Sequence, residues 1–126
     1  MANIFDNDIL ITSGEGEVFL DLVCGYGQPS VSTVYLKKND GNTEELKAFD
    51  NNATELMIGS VAGLRYNTIE IHTTIHDIRD SKSEKEDISL DVVIYDSSDN
   101  KVDTSITKKT KGKGHVFNSY YSVTIV

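Results

Sequence analysis

The fold is decided by residues 68–78, TIEIHTTIHDI, in which apolar and polar side chains alternate. Successive side chains of an extended strand point to opposite faces, so a period of two predicts a strand with one buried and one exposed face. The buried face would hold Ile69, Ile71 and Ile75, and the exposed face Glu70, His72, Thr74 and His76. We therefore predict a half-buried β-strand at this position.

A second alternating segment follows nearby. Its apolar face would consist of Ile88, Leu90, Val92 and Ile94, and its polar face includes Ser89, Asp91 and Tyr95. The nine residues 79–87, RDSKSEKED, are almost all charged or hydroxylic, as expected of an exposed connection between strands. We predict that the two strands form a β-hairpin across this connection.

The end of the chain alternates as well, with Phe117, Tyr121, Val123 and Ile125 on one face and Asn118, Tyr120, Ser122 and Thr124 on the other. This strand runs to Val126 without a proline or a charge that would protect it. Because an unprotected edge can pair with another chain, we expect an open edge here that accepts a partner strand.

Five more segments have strand character. Residues 18–24 are almost continuously apolar, which predicts a strand covered on both faces, and Pro29 marks the turn after it. Residues 31–38 and 43–49 flank NDGN at 39–42, a hairpin turn signal. Residues 55–58 and 61–64 suit either a strand or a helical turn, and their length favours strands.

The strand count and the spacing of turns predict an all-β fold in a single domain spanning residues 1–126. Seven to nine short strands favour an antiparallel β-sandwich, with a small β-barrel as the alternative. The layout is immunoglobulin-like by analogy of architecture only, because one Cys and no Trp rule out the core disulfide and tryptophan of antibody domains.

Charge and composition restrict the partners. The net charge of −8 disfavours nucleic acid and anionic membranes, whose binding depends on Lys and Arg. The first residues lack the basic and apolar regions of a secretory signal, and no apolar run is long enough to span a membrane. We therefore expect a cytoplasmic protein.

The most basic stretch is KKTKGKGH at residues 108–115. Its glycines do not have the spacing of a phosphate-binding loop, and a strand follows it where that motif needs a helix. We expect it to be a positive connection whose lysines face carboxylates of this chain or of a second copy. The candidate partner-binding residues are Lys108, Lys109, Lys111, Lys113, Tyr120 and Tyr121.

The sequence offers no catalytic constellation and no cofactor motif. His72 and His76 on one strand would lie roughly 13 Å apart, too far to share a metal ion. Cys24 lies in an apolar run and is expected to be a core residue. The weak calcium candidates are Asp96, Asp99 and Asp103, in a loop that does not fit an EF-hand.

Three functions remain open. The leading hypothesis is a non-catalytic module that binds a protein partner or a second copy, possibly as a structural subunit. The first alternative is an acidic inhibitor or immunity-type protein that neutralises a basic partner through electrostatic steering. The second is a calcium- or carbohydrate-binding module.

Overall fold

The structure is a computed structural model and describes residues 2–25, 28–76, 87–109 and 116–126. This part of the chain holds nine strands and one helical turn. Their bounds are β1 Ala2–Leu10, β2 Glu17–Cys24, β3 Ser30–Lys37, β4 Thr43–Asp50, β5 Ala53–Ser60, α1 Val61–Leu64, β6 Thr68–His76, β7 Asp87–Asp96, β8 Lys101–Lys109 and β9 Val116–Ile125.

The strands form two sheets, of five strands in the order β1-β9-β6-β3-β4 and of four in the order β5-β2-β7-β8. Their inner faces share one hydrophobic core, which confirms the predicted β-sandwich; the described strands form no closed barrel. All neighbouring strands run antiparallel except β1 and β9, which are parallel, so the five-stranded sheet is mixed.

The predicted hairpin between the strands at 68–78 and 88–94 is wrong. The first strand is β6, which pairs with β3 and β9, whereas the second is β7, which pairs with β2 and β8 in the other sheet. The chain therefore crosses between the sheets, although residues 77–86 lie outside the described part. Alternation identifies the buried face of a strand but not its neighbours, which explains the error.

The predicted open edge at the C-terminus is also wrong. β9 is paired on both sides, with β6 and with the N-terminal strand β1. The edge strand on that side is β1, and the predicted strands did not include it. Consequently β9 has no free row of backbone groups with which to accept a partner strand.

The core confirms most of the predicted alternation. In β6 and β9 every second residue is buried, and the buried set includes Ile69, Ile71 and Ile75. Strand β2 differs from the prediction, because Phe19 is partly exposed and Val23 is largely exposed on its outer face. It is a central strand that contacts the core on one face only.

The segment at 61–64 forms one helical turn, α1, and not the strand favoured by its length. The Ser60 side chain accepts a hydrogen bond from the Gly63 N–H, which caps the turn, and Val61 and Leu64 are buried. The segment at 55–58, by contrast, lies within strand β5 as predicted.

The hairpin turn at 39–42 forms as predicted between β3 and β4, with Gly41 at φ +91°. A Cβ at Gly41 would meet no atom within 4 Å, so only backbone strain opposes a side chain there. We expect Gly41→Ala to lower the free energy of unfolding by about 1 kcal/mol, measured by urea denaturation. Gly41→Asn should cost less, because Asn tolerates positive φ better; an equal loss would contradict the backbone explanation.

Candidate functional site

A row of rings crosses the outer face of the five-stranded sheet. Phe5 of β1 stacks on Tyr120 of β9, with ring centroids 5.0 Å apart and planes 13° apart. The Tyr120 ring meets His72 of β6 at 4.8 Å, nearly edge-on, and His72 lies 4.9 Å from Tyr35 of β3. These four residues, the aromatic row, form a continuous band across four strands.

Strand register builds this row. Phe5 lies opposite Tyr120, and Tyr120 lies opposite His72, so three of the rings sit at one height in neighbouring strands. Thr33 lies opposite His72, and Tyr35, two residues further along β3, lies opposite Glu70 and reaches the His72 ring diagonally. Cross-strand aromatic contacts of this kind stabilise a sheet and fix its register.

Glu70 anchors the polar part of the row. Its carboxylate accepts from the Lys37 ammonium at 2.6 Å, contacts the His72 ring nitrogen Nε2, and accepts a long bond of 3.4 Å from the Ser122 hydroxyl. Burial alone would raise the pKa of Glu70, but Lys37 and His72 together hold it below its usual 4.5. Glu70 is therefore ionised and largely compensated at neutral pH.

The same face is poor in carboxylates. We call the outward-facing side chains of β1, β3, β6 and β9 the acid-poor face; among those that the structure describes, Glu70 is the one carboxylate. Phe5 is 71% exposed there, Ile9 is also largely exposed, and Val31 is half exposed. Beside the row lies a groove of about 490 Å³ lined by Asn7, Asp8, Ile9, Thr68, Ser122 and Thr124.

The outer face of the four-stranded sheet is different. Phe19 and Tyr95 stack at 5.5 Å, and the Asp21 carboxylate accepts from the Tyr95 hydroxyl and from the Glu55 N–H. Burial, followed by the bond to Asp21, raises the pKa of Tyr95. A cleft of about 270 Å³ lies here, lined by Phe19, Glu55, Tyr95, Asp96, Ser97 and Asp99. Its charged lining is entirely acidic.

The calcium candidates do not converge. The Asp96 carboxylate, on a residue only 2% exposed, accepts four hydrogen bonds from Ser13, Ser98 and the backbone and side chain of Asn100. Asp99 lies in the turn after β7, and Asp103 is exposed within β8, opposite Val93. Within the described residues no group of three or more His, Cys, Asp or Glu could hold a metal ion. Asp96 instead fastens the β7–β8 turn to the segment after β1.

The predicted partner-binding tyrosines have different positions. Tyr120 belongs to the aromatic row, but Tyr121 points into the core, is 1% exposed, and cannot contact a partner. Its hydroxyl donates to Asp8 of β1 at 2.5 Å. Burial, and then this bond, raise the pKa of Tyr121 far above its usual value. The prediction for Tyr121 is wrong because the alternation of β9 turns it inward.

The lysine stretch lies largely outside the described residues, which end at 109 and resume at 116. Lys108 is exposed near the end of β8, and no described carboxylate lies within ion-pair distance of it. The side chain of Lys109 and all of Lys111 and Lys113 are outside the described part. Their expected contacts with carboxylates stay predictions.

Two further residues lie where the sequence placed them. Cys24 is buried, and burial raises the pKa of its thiol, as expected of a core cysteine. His76 is exposed at the end of β6, on the same face as His72. Across the four described ranges, no helix has the length and apolar character needed to cross a membrane.

The Tyr121–Asp8 bond links the edge strand β1 to the core. We expect Tyr121→Phe to lower the free energy of unfolding by about 1 kcal/mol and to speed amide exchange in β1, because the buried ring stays and only the hydrogen bond is lost. Tyr120→Phe is the matched control, since no described residue hydrogen-bonds its hydroxyl. If both variants exchanged alike in β1, the bond would not secure that strand.

Sequence reasoning missed the aromatic row, since it assigned no strand to residues 2–10 and treated His72 as an exposed polar residue. The sequence carries little signal for this strand: Phe5 and Ile9 are four apart and fall on one face, but Ile4 and Leu10 fall on the other. A comparison of the chain with family models, with curated proteins and with solved structures gives no match.

Proposed function

We propose that this protein is a non-catalytic β-sandwich module that binds a protein partner through its acid-poor face. The observation that carries the proposal is the aromatic row, which lies on a largely uncharged surface of a chain with net charge −8. Interface centres are depleted in charged residues and enriched in aromatic ones, as this face is.

Exposure supports the same conclusion. Phe5 is held in place by its stack on Tyr120 while most of its surface faces water. A partner that covered this ring would remove apolar area from water without first having to order the side chain. Large, pre-positioned aromatic residues are the usual energetic centres of protein interfaces.

The sheet edges support face binding over strand addition. The edges are β1, β4, β5 and β8, and pairing irregularities interrupt both β4 and β5. The edge strand β1 lies beside β8, and its Asp6 and Asp8 side chains point inward. The edge strand β8 carries exposed lysines. Bulges, inward charges and edge lysines all discourage a further strand from pairing.

The test is affinity retrieval from native lysate with an immobilised chain. Phe5→Asp should lose the specifically retained protein, because a charge then lies within the buried patch. Met57→Asp is the matched control: Met57 is also an exposed apolar residue, but it lies on the opposite sheet. Loss with Met57→Asp and retention with Phe5→Asp would assign binding to the other face and overturn the proposal.

A second candidate function rests on the acidic cleft between Phe19, Tyr95 and the carboxylates beside them. A cationic side chain of a basic partner would meet both an aromatic surface and negative charge there. Glu55→Gln combined with Asp99→Asn should then weaken such a complex and flatten its salt dependence, whereas Asp50→Asn on β4 should not. A complex insensitive to salt would exclude this function.

A further inference from the structure

We propose that the occupant of the acid-poor face is a second copy of this chain, packed face to face about a two-fold axis parallel to the strands. The inference rests on the proposed function, since it names the partner of that same face. Four observations carry it: charge distribution, the asymmetry of the sheet margins, the size of the residues in one cross-strand line, and the area available.

Charge limits where two copies can touch. Each chain carries −8, and the outer face of the four-stranded sheet includes Asp21, Asp91 and Asp103. Two such faces would bring like charges together at contact distance, where salt screens them least. On the outer face of the five-stranded sheet, Glu70 is paired with the Lys37 ammonium, and the other two described carboxylates, Glu45 and Asp50, lie on the edge strand β4, at the rim of such a contact. The centre of this face is therefore where self-contact costs least.

The margins of the five-stranded sheet determine the direction of the axis. At one margin β4 turns Glu45 and Asp50 outward, and at the other β1 turns out Phe5 and Ile9. An axis across the strands would place β4 on the partner's β4, carboxylate against carboxylate. An axis along the strands places β1 against the partner's β4 and β6 against the partner's β6, so the carboxylates of the two β4 strands stay apart.

Rotation about an axis along the strands keeps every residue at the same position along the strand direction. A line of residues that runs across the sheet therefore faces the same line of the partner in reverse order. One such line runs through Phe5, Tyr120, His72, Thr33 and Ala48, in the order of the strands. Reversed, it places the large exposed ring of Phe5 against the small side chain of Ala48 in the partner. A large residue opposite a small one is the complementarity that close packing requires.

The available area indicates a weak dimer. Five strands about 4.8 Å apart, each with roughly eight residues at about 3.3 Å, give a face of roughly 600 Å² per copy. The total of about 1,200 Å² lies at the lower limit of standard specific interfaces and suits a complex that dissociates readily.

Sedimentation at increasing protein concentration tests the proposal. The wild-type chain should shift from monomer to dimer between low micromolar and millimolar concentration. Phe5→Lys and Ala48→Glu, each made alone, should weaken the dimer at least about tenfold, since each puts an unpaired charge into the contact. Met57→Glu on the other sheet is the matched control and should leave the dimer unchanged. A thermal melt of each variant verifies that it is folded.

The double variant Phe5→Lys with Ala48→Glu identifies the axis. With the axis along the strands, each new lysine lies against the partner's new glutamate, and dimerisation should recover. With the axis across the strands, lysine would meet lysine, and the double variant should be weaker than either single one. That result, or a wild-type chain that stays monomeric throughout, would overturn the proposal. If Phe5→Asp then still abolished retrieval of another protein, the proposed face would stand with a different partner.

Discussion

Asp96→Ala is expected to lower the free energy of unfolding by about 3 kcal/mol or more. The buried carboxylate accepts N–H groups of Ser13, Ser98 and Asn100 at 2.9 to 3.1 Å. Alanine would leave these donors without their acceptor, and hydrogen bonds to a charged group are the strong ones. Urea denaturation followed by circular dichroism measures the change, on the assumption of two-state unfolding for a chain of 126 residues.

Asp96→Asn is the matched control for the alanine variant. The amide keeps the shape of the side chain, but its NH₂ group faces N–H donors where an acceptor is needed. We therefore expect a loss of stability between those of wild type and Asp96→Ala. A loss in Asp96→Ala no greater than in Asp99→Ala, in the exposed turn beside it, would show that the network does not fasten this end of the sandwich.

The same carboxylate gives stability a defined pH dependence. Burial alone would raise the pKa of Asp96, but the bonds from Asn100, Ser13 and Ser98 outweigh it and hold the pKa below 3.8. A lowered folded-state pKa contributes stability that is fully present above the unfolded value and is lost as pH falls through the folded one. Wild type should therefore lose this contribution below about pH 4, and Asp96→Ala should lack that part of the acid dependence.

Ile71→Ala is expected to lower the free energy of unfolding by about 2 to 5 kcal/mol. Ile71 is 1% exposed in β6, the central strand of the five-stranded sheet, and lies between Val34 and Tyr121 in register. Truncation leaves a cavity that the three paired strands around it cannot easily close. The loss of stability should therefore exceed the transfer free energy of the removed carbon groups alone.

Val31→Ala is the matched control for Ile71→Ala, because Val31 lies in the adjacent strand β3 but about half exposed. It should change stability by less than about 0.5 kcal/mol. Thermal and urea unfolding of both variants provide the measurement. Equal losses of stability in the two variants would mean that buried residues of this sheet contribute no more to stability than exposed ones.

The sequence was sufficient for the fold class and for the inner face of most strands. Ile69, Ile71 and Ile75 fall on one face of a strand and required that face to be buried, and Gly41 marked a turn that forms as expected. Strand neighbours were not predictable in the same way, because alternation in β6 and β7 is satisfied equally by one sheet or by two. The hairpin expected between them was lost for that reason.

The candidate site was less predictable because it depends on a strand that breaks the pattern. In β1 the inward positions include Asp6 and Asp8 beside Ile4 and Leu10, so apolar residues mark neither face. Asp8 is accommodated there by the Tyr121 hydroxyl, a contact 113 residues away in sequence. Without an assigned β1, Tyr120 has no stacking partner and does not stand out from the other residues on the polar face of β9.

The parallel pairing of β1 and β9 has a mechanical consequence. Their register runs from Ala2 opposite Phe117 to Leu10 opposite Ile125, so the start of β1 and the end of β9 lie at opposite ends of the pair. Tension applied between those two points would pull the strands past each other and load their evenly spaced hydrogen bonds all at once. Forced unfolding follows the rate of that single rupture. Stretched in this direction, the sandwich should hold as a rigid link up to a sharp breaking force.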